Sequence, residues 1–304
     1  MTSKQKRVLG KQSINYSLLP LAIVLIIIPL IIHEFIFIPT IAKESWFPDA
    51  NVASDYFLFY KGIILIGIGI LMGIILLYRQ IFSKQKLFTE LQVWQVLLLT
   101  YMFFVLLSTF ASPYKSITLN GTYEQFETVL VLLTYCLLLY YSYHVVRTEQ
   151  EVEAITRYLF IGIGIMTGIG LLQLFGLDPI TSNWGKYLIS ADRSKEAIDA
   201  MSFNFEKNRV YMTLLNPNYV GVYASLLFPI TMGLTILLSQ KKKKIISFIL
   251  SFLLVIAVFG SQSKTGLIIL AGTGLMIVII LRKRLFANKK IIAILGTSFA
   301  LIVI

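Results

Sequence analysis

Several separate runs of about 20 uncharged, mostly apolar residues limit how this chain can fold more than any other feature of its sequence. The 304 residues are 57% hydrophobic and 14% charged, a balance that is not that of a water-soluble domain. Backbone groups in hydrocarbon must hydrogen-bond to one another, and each run is about twice as long as the strand of a membrane barrel. The sequence therefore predicts an all-α fold, a polytopic bundle of transmembrane helices.

The apolar runs predict about nine helices in one membrane domain that covers 1–304. The expected ranges are 17–38, 57–78, 91–111, 126–146, 155–174, 219–238, 245–260, 265–281 and 291–304. Pro20 and Pro29 are expected to kink the first helix. The glycine spacings Gly69 to Gly73 and Gly164 to Gly168 are typical of closely packed helices.

A long connection over about 175–217 separates the fifth and sixth predicted helices, and it is long enough to carry a function. Within it, Asp192 or Ser194 is positioned to cap a short helix that ends near Met201. The alternation of apolar residues from Phe203 to Met212 predicts a small hairpin.

The charge is unevenly distributed along the chain. The 27 Lys and Arg against 15 Asp and Glu give a net charge of +12, which in a soluble protein would suggest a nucleic-acid partner. Here 18 of the 27 basic residues lie at the N-terminus or in alternate connections between apolar runs, as the positive-inside rule requires. This pattern argues against a nucleic-acid partner. It predicts a cytoplasmic N-terminus and places the 175–217 connection outside.

The stretch RVYMTLLNPNYVG, from Arg209 to Gly221, places polar side chains where a hydrophilic connection turns into an apolar run. Pro217 suits the first turn of a helix and Asn216 is a natural N-cap, so a capping role explains the asparagines, Asn218 included, as well as a binding role does. With Arg209 nearby, the same helix start would form an anion site. Arg209 can alternatively snorkel at the membrane edge.

Two further polar clusters lie in predicted outer connections. In GSQSKTG, Lys264 either provides a point charge for a phosphate or anchors a helix end; the stretch lacks the glycine that a nucleotide-binding loop has before its lysine. In NGTYEQFET, Glu124 and Glu127 are one helical turn apart at the start of the fourth predicted helix. They suit acid-base chemistry, but a role in complementing the helix dipole is favoured.

No metal site or disulfide is expected from the sequence. His33 and His144 are predicted at opposite ends of their helices, and no other ligand cluster accompanies them. Cys136 is the one cysteine and cannot form a bridge within the chain.

Three stretches over about 107–281 resemble, in order, motifs of the O-antigen ligase and O-antigen polymerase superfamily. RVYMTLLNPNYVGVYA resembles its arginine followed by NPN, NGTYEQFETVLVLLTY resembles its outer glutamate-rich segment before a helix, and GSQSKTG resembles its short serine-arginine turn. The resemblance implies a polytopic glycosyltransferase of the bacterial cytoplasmic membrane. It would move glycan from undecaprenyl diphosphate to an acceptor sugar or lipid on the outer face, without a cofactor, a nucleotide sugar or an obligatory metal. The lysine- and isoleucine-rich composition suggests a bacterium of low GC content, in which the product would be a cell-wall or capsular polysaccharide.

The resemblance also implies roles for individual residues. Arg209 and Lys264 would bind the carrier diphosphate, Glu124 and Glu127 are the candidates to assist the acceptor hydroxyl, and the site would be shaped by Asn216, Pro217, Asn218 and Gln125. Gln125 stands where the family has an arginine, Thr128 where it has a glycine, and Lys264 lacks the fork of an arginine.

Family members have about twelve helices and a large late outer loop, so the chain is expected to be a fragment or to lack part of the site. Two alternatives remain open. One is a non-catalytic truncated homologue or assembly subunit that binds the carrier. The other is a small-solute transporter, against which the nearly charge-free centres of the helices argue.

Overall fold

The computed structural model describes residues 16–37, 53–82, 92–122, 125–203, 206, 208–214 and 216–286. Helices dominate these residues. They are α1 Tyr16–Leu30, α2 Phe59–Ile81, α3 Val93–Ala111, α4 Lys115–Asn120, α5 Val129–Val145, α6 Glu149–Leu174, α7 Asn183–Ile189, α8 Lys195–Ala200, α9 Pro217–Leu237, α10 Lys241–Ser261 and α11 Lys264–Phe286. Two short strands, β1 Phe35–Phe37 and β2 Ala53–Asp55, pair antiparallel with Phe35 opposite Asp55.

Six of the described helices, namely α2, α3, α6, α9, α10 and α11, are long and apolar enough to cross a membrane. Helices α1 and α5 are apolar but shorter. The prediction of a helical, multi-pass membrane protein is therefore confirmed. The helix predicted over 291–304 lies outside the described residues.

The first predicted helix, 17–38, is wrong over 31–37, because helix α1 ends at Leu30. Helix α1 changes from α-helical to π and then to 3-10 turns and ends at Leu30, just after Pro29, whose ring removes a backbone donor. The next residues are extended because their backbone groups bond elsewhere: His33 N–H donates to Tyr56 O (3.0 Å) and Glu34 N–H donates to Ile189 O (2.9 Å). Pro20 lies in the first turn of the α-helical part, where its missing N–H costs little.

The chain divides into two compact units. The first comprises Met1–Ile28, Gly62–Gly121 and Phe126–Tyr158. Its core is centred on Tyr141, which is fully buried, packs with Met72, and donates through its hydroxyl to the Ser17 carbonyl. A Cβ built on Gly69 would lie 2.7 Å from Thr134 Cγ2, so this glycine permits a close helix contact.

The second unit comprises Pro29–Lys61, Thr122–Gln125 and Leu159–Ile304. Helices α9, α10 and α11 pack together in it, with Val220, Leu254 and Val258 fully buried. Polar groups add to the packing: Ser251 Oγ donates to Thr231 Oγ1 at 2.8 Å, across helices α10 and α9. Hydrogen bonds between membrane helices contribute on the order of 0.6 kcal/mol each.

The other predicted glycine contacts are weaker than expected. A Cβ on Gly164 would meet Leu250 Cδ2 at 3.8 Å, an ordinary contact, while a Cβ on Gly73 or Gly168 would meet no described atom within 4 Å. Close packing through the paired glycines is thus realised at Gly69 alone among these four.

Candidate functional site

Arg209 lies in the second unit, on the segment that precedes helix α9. Its side chain is 27% exposed and is held at two points: Nε–H donates to the carbonyl of Ser261 at 3.0 Å, and Nη1 contacts Glu206 Oε2 at 3.2 Å. The next residue, Val210, donates its N–H to the Gly260 carbonyl at 2.9 Å. The segment is therefore bound to the C-terminal end of helix α10.

The asparagine-proline stretch starts helix α9 as predicted. Asn216 is the N-cap, its Oδ1 accepting from the N–H of Asn218 at 2.9 Å, and Pro217 is the first helical residue. Asn218 itself is exposed. The capping role of Asn216 is confirmed, and it leaves the Asn218 side chain at the surface of the helix start.

The turn between helices α10 and α11 is built from small polar residues. Ser261 and Ser263 are buried, Gln262 adopts a left-handed backbone (φ 55°), and Ser263 Oγ accepts from the N–H of Gly266 at 3.1 Å. Lys264 is the first residue of helix α11 and is exposed. Ser263 therefore caps a helix that begins with a cation.

The starts of helices α9 and α11 lie against each other. A Cβ built on Gly221 would be 2.7 Å from Ser263 Oγ, and one built on Gly266 would be 2.6 Å from Gly221 Cα. Ser225 Oγ donates to the Gly266 carbonyl at 2.8 Å, one turn further along. Only residues without side chains permit this approach.

Two polar stretches that are far apart in sequence, 209–218 and 261–264, thus share one end of the second unit. We call them the polar cluster, which comprises Arg209, Asn216, Asn218, Ser261, Ser263 and Lys264. Two helix N-termini, each with a partial positive charge, lie together there with an arginine and a lysine on the same segments. This combination suits a ligand with more than one negative charge.

Gln173, near the end of helix α6, orders the segment that carries Arg209. Its Oε1 accepts from the N–H groups of Tyr211 (3.1 Å) and Met212 (2.6 Å), and its Nε2 donates to the Met212 carbonyl at 3.0 Å. Gln173 is 3% exposed. Sequence reasoning missed this residue, although a lone amide near the end of an apolar run was a visible signal.

A second contact in the same place joins buried Tyr211 to half-buried Asp178. The Tyr211 hydroxyl donates to Asp178 Oδ2, and Asp178 Oδ1 accepts from the N–H of Ile180 at 3.0 Å. Burial first, and then the hydrogen bond to Asp178, raise the pKa of Tyr211 far above its ordinary value, so the phenol stays neutral.

Hydrogen bonds of Lys61 and Thr213 hold the C-terminal end of the segment that carries Arg209. Lys61 Nζ donates to the Thr213 carbonyl, and Thr213 Oγ1 donates to the Pro29 carbonyl. Asp55 caps helix α2 just before the lysine, its Oδ1 accepting from the N–H groups of Leu58 and Phe59. Lys61, in the first turn of an apolar helix, was also not identified from the sequence.

The hairpin predicted from Phe203 to Met212 is wrong for the described part of that stretch, which contains no strand. Asn208 (φ 62°) and Met212 (φ 52°) are left-handed, so the chain turns where a strand would continue. The short helix predicted to end near Met201 is confirmed: Ser194 caps α8, its Oγ accepting from the N–H of Ala197 at 3.3 Å.

The acidic stretch before helix α5 differs from its prediction. The helix begins at Val129 with Thr128 as its N-cap, so exposed Glu127 precedes the helix and is not in its first turn. Glu124 lies outside the described residues. Gln125 is exposed and exchanges backbone hydrogen bonds with Thr122.

The described residues contain no group of three or more His, Cys, Asp or Glu side chains that could hold a metal ion.

Comparison of the chain with models of protein families, with curated proteins and with solved structures finds no match.

Proposed function

We propose that the chain is a membrane glycosyltransferase of the O-antigen ligase type, which transfers or polymerises glycan from an undecaprenyl-diphosphate carrier onto an acceptor sugar or lipid. The observation that carries the proposal is the polar cluster. The Arg209 segment and the turn at Lys264, two of the three stretches on which the resemblance rests, are packed together through Ser261 and the Gly221–Gly266 contact.

The charges of the polar cluster suit a diphosphate. The one described ion pair of Arg209 is with Glu206, which is 68% exposed and three residues away. Such exposed pairs contribute only about 0–1 kcal/mol, so a multiply charged ligand can displace the carboxylate. The Ser261 carbonyl would continue to orient the guanidinium while its remaining N–H groups bind phosphate oxygens.

The proposed orientation has a cytoplasmic N-terminus, about nine helices and the polar cluster at the outer face of the bacterial cell membrane. Within the second unit, Lys241–Lys244 begin helix α10 and Ser261 ends it; Lys264 begins helix α11, and Arg282 and Lys283 follow near its other end. The basic groups therefore lie at the opposite helix ends from the polar cluster. This arrangement supports the orientation that the positive-inside rule favours.

Binding and transfer are separable parts of the proposal. Arg209 and Lys264 are proposed to hold the diphosphate, with Asn216, Pro217, Asn218 and Gln125 shaping the site, and Glu124 and Glu127 are the candidates to activate the acceptor hydroxyl. A carrier-binding subunit without transfer activity would retain the first property alone. A solute transporter would show neither.

The test is a pair of measurements on protein reconstituted in nanodiscs. Binding of undecaprenyl diphosphate is compared between wild type, Arg209→Lys and Arg209→Ala, and transfer is followed as the release of glycan from carrier-linked oligosaccharide extracted from the native membrane. Loss of charge-assisted hydrogen bonds worth about 1.5–3 kcal/mol predicts roughly 10- to 100-fold weaker binding for Arg209→Ala. Arg209→Lys should be intermediate, because an ammonium retains the charge without the fork.

Arg157→Ala is the matched control, since Arg157 is exposed on helix α6 and belongs to the first unit. It should bind and transfer like the wild type. Unchanged carrier binding in Arg209→Ala would refute the proposed site. Tight binding with no glycan release by the wild type would instead identify a carrier-binding subunit.

A further inference from the structure

Helix α7, in the connection between helices α6 and α9, carries an apolar face that is largely exposed in the described structure. Trp184 is 72% exposed, Tyr187 44% and Leu188 48%. Their spacing of three and four residues places them on one side of the helix. Three large side chains held out together in this way mark an interaction surface.

The opposite face of α7 is fixed to the second unit. Gly185 lies so close to the preceding turn that a Cβ there would be 2.0 Å from the Pro179 carbonyl oxygen. Ile189 is buried in a cluster with Phe57, Ile180 and Tyr211. The helix therefore cannot roll to hide Trp184.

Both ends of α7 are also held. Ser182 Oγ accepts from the N–H of Gly185 at 3.0 Å, and Lys186 Nζ donates to the Met201 carbonyl beyond helix α8. Just after the helix, Glu34 Oε2 accepts from the N–H of Ala191 at 3.0 Å. The exposed face is thus presented by a rigid element.

The apolar surface begins where helix α6, a candidate membrane span, ends. The chain leaves Leu174 through Phe175 and Leu177, which are 74% and 66% exposed. The Arg193 guanidinium lies 5.3 Å from the centre of the Tyr187 ring, which puts a cation beside the aromatic face. Tryptophan and tyrosine are enriched at the boundary of headgroups and acyl chains, and an adjacent cation suits the lipid phosphates.

We infer that helix α7 lies in the membrane surface at which helix α6 ends, with Trp184, Tyr187 and Leu188 inserted at the boundary between lipid headgroups and acyl chains. The inference depends on the membrane location of the chain and not on the transfer reaction. Its partner is the lipid of that leaflet, with Phe175 and Leu177 extending the contact from the span.

Helix α7 and the connection before it both lie against the segment that carries Arg209, and Ile189 packs in one cluster with Tyr211. Gly176, between the two exposed residues that leave the span, approaches Asn208 so closely that a Cβ there would lie 3.1 Å from Asn208 Oδ1. Arg209 is the next residue. A helix anchored in the headgroup layer therefore holds Arg209 near the level of lipid phosphates.

The test uses the fluorescence of Trp184 alone, in the double variant Trp46→Phe, Trp94→Phe, reconstituted in phosphatidylcholine vesicles. Vesicles contain lipid brominated near the headgroup or at the middle of the acyl chain, and iodide serves as the aqueous quencher. An interfacial depth of about 5–10 Å predicts about twofold stronger quenching by shallow than by deep bromine, with little quenching by iodide. If the double variant does not fold, the quenching of Trp184 is obtained by subtracting the fluorescence of Trp184→Phe from that of the wild type.

A tryptophan on the neighbouring helix is the matched control. Glu196→Trp, made with Trp184→Phe, places the probe at an exposed position of helix α8. This probe should be quenched by iodide more than Trp184 and by bromine less. Equal bromine quenching at both positions would overturn the inference, and so would strong quenching of Trp184 by iodide. Quenching of Trp184 by neither bromine nor iodide would also overturn it, because that result would mean that protein covers the face.

Discussion

Gly221 and Gly266 bring the first turns of helices α9 and α11 together at a distance that no side chain permits. A Cβ on Gly266 would lie 2.6 Å from the Cα of Gly221 and 3.1 Å from its carbonyl carbon. Both obstacles are backbone atoms, so a larger residue cannot be accommodated by a rotamer change. The starts of the two helices must separate if either glycine is replaced.

Gly266→Ala is expected to lower the free energy of unfolding by about 1–3 kcal/mol, the usual cost of overpacking. Thermal unfolding of the detergent-solubilised protein measures it. Gly233→Ala on helix α9 is the control, because a Cβ there meets no described atom within 4 Å. Alanine stabilises a helix by up to about 1 kcal/mol relative to glycine, so the Gly233→Ala variant should melt at or above the wild-type temperature. A similar loss in both variants would contradict the contact.

Gln173→Leu is expected to destabilise the segment around Arg209. It removes the acceptor of two backbone N–H groups and the donor to one carbonyl, and each buried group left unsatisfied costs about 1–3 kcal/mol. Hydrogen exchange of the amides over 209–213 should accelerate, along with a lower melting temperature. Gln240→Leu, at an exposed amide before helix α10, should change neither. Unaltered exchange in Gln173→Leu would show that the segment is ordered by other contacts.

The protein is expected to lose stability at alkaline pH because the Tyr211 hydroxyl is held neutral in the folded state. Its folded pKa is raised above the ordinary value of 10.0, so the stability that its neutral hydroxyl contributes is complete below about pH 10. Above that pH the unfolded chain ionises while the folded phenol remains protonated, and stability decreases. Melting temperatures between pH 9 and 11 should therefore decrease less steeply in Tyr211→Phe than in the wild type. Parallel curves would mean that the phenol is not held neutral.

Glu206→Gln should strengthen anion binding at Arg209. The variant removes the carboxylate that contacts the guanidinium at 3.2 Å, and an exposed pair worth up to about 1 kcal/mol predicts an increase in affinity of up to roughly fivefold. Titration with undecaprenyl diphosphate measures it. Glu196→Gln changes the net charge equally at an exposed site on helix α8, so it controls for long-range charge. An equal gain in the two variants would rule out direct competition.

The membrane helices could be predicted from the sequence because a run of apolar residues is a local property. Predicted 91–111 and observed Val93–Ala111 differ by two residues, and predicted 219–238 becomes Pro217–Leu237. The cap at Asn216 was also predictable, since its signal lies within three residues. The first helix was predicted too long because 31–37 are nearly as apolar as the turns before them. The hydrogen bond that keeps Glu34 extended is donated to the Ile189 carbonyl, which is far away in the sequence.

The cations of the candidate site could be predicted from the sequence, but the hydrogen bonds that order the segment around Arg209 could not. Arg209 and Lys264 stand out as charges at the edges of apolar runs. Gln173 acts through backbone groups of Tyr211 and Met212 nearly forty residues away, and nothing local in the sequence pairs them. The hairpin prediction failed for the same reason: the side chain of Gln173 satisfies N–H groups that a neighbouring strand would otherwise have bonded.

The hydrogen bond from Arg209 to the Ser261 carbonyl joins residues that are 52 positions apart. A growing chain is synthesised from its N-terminus, so Arg209 emerges from the ribosome well before its partner. Helices α9 and α10 must both be in the bilayer before the guanidinium has this acceptor. The polar cluster can therefore assemble only after helix α10 has been synthesised as far as Ser261, and until then the guanidinium lacks the carbonyl that orients it.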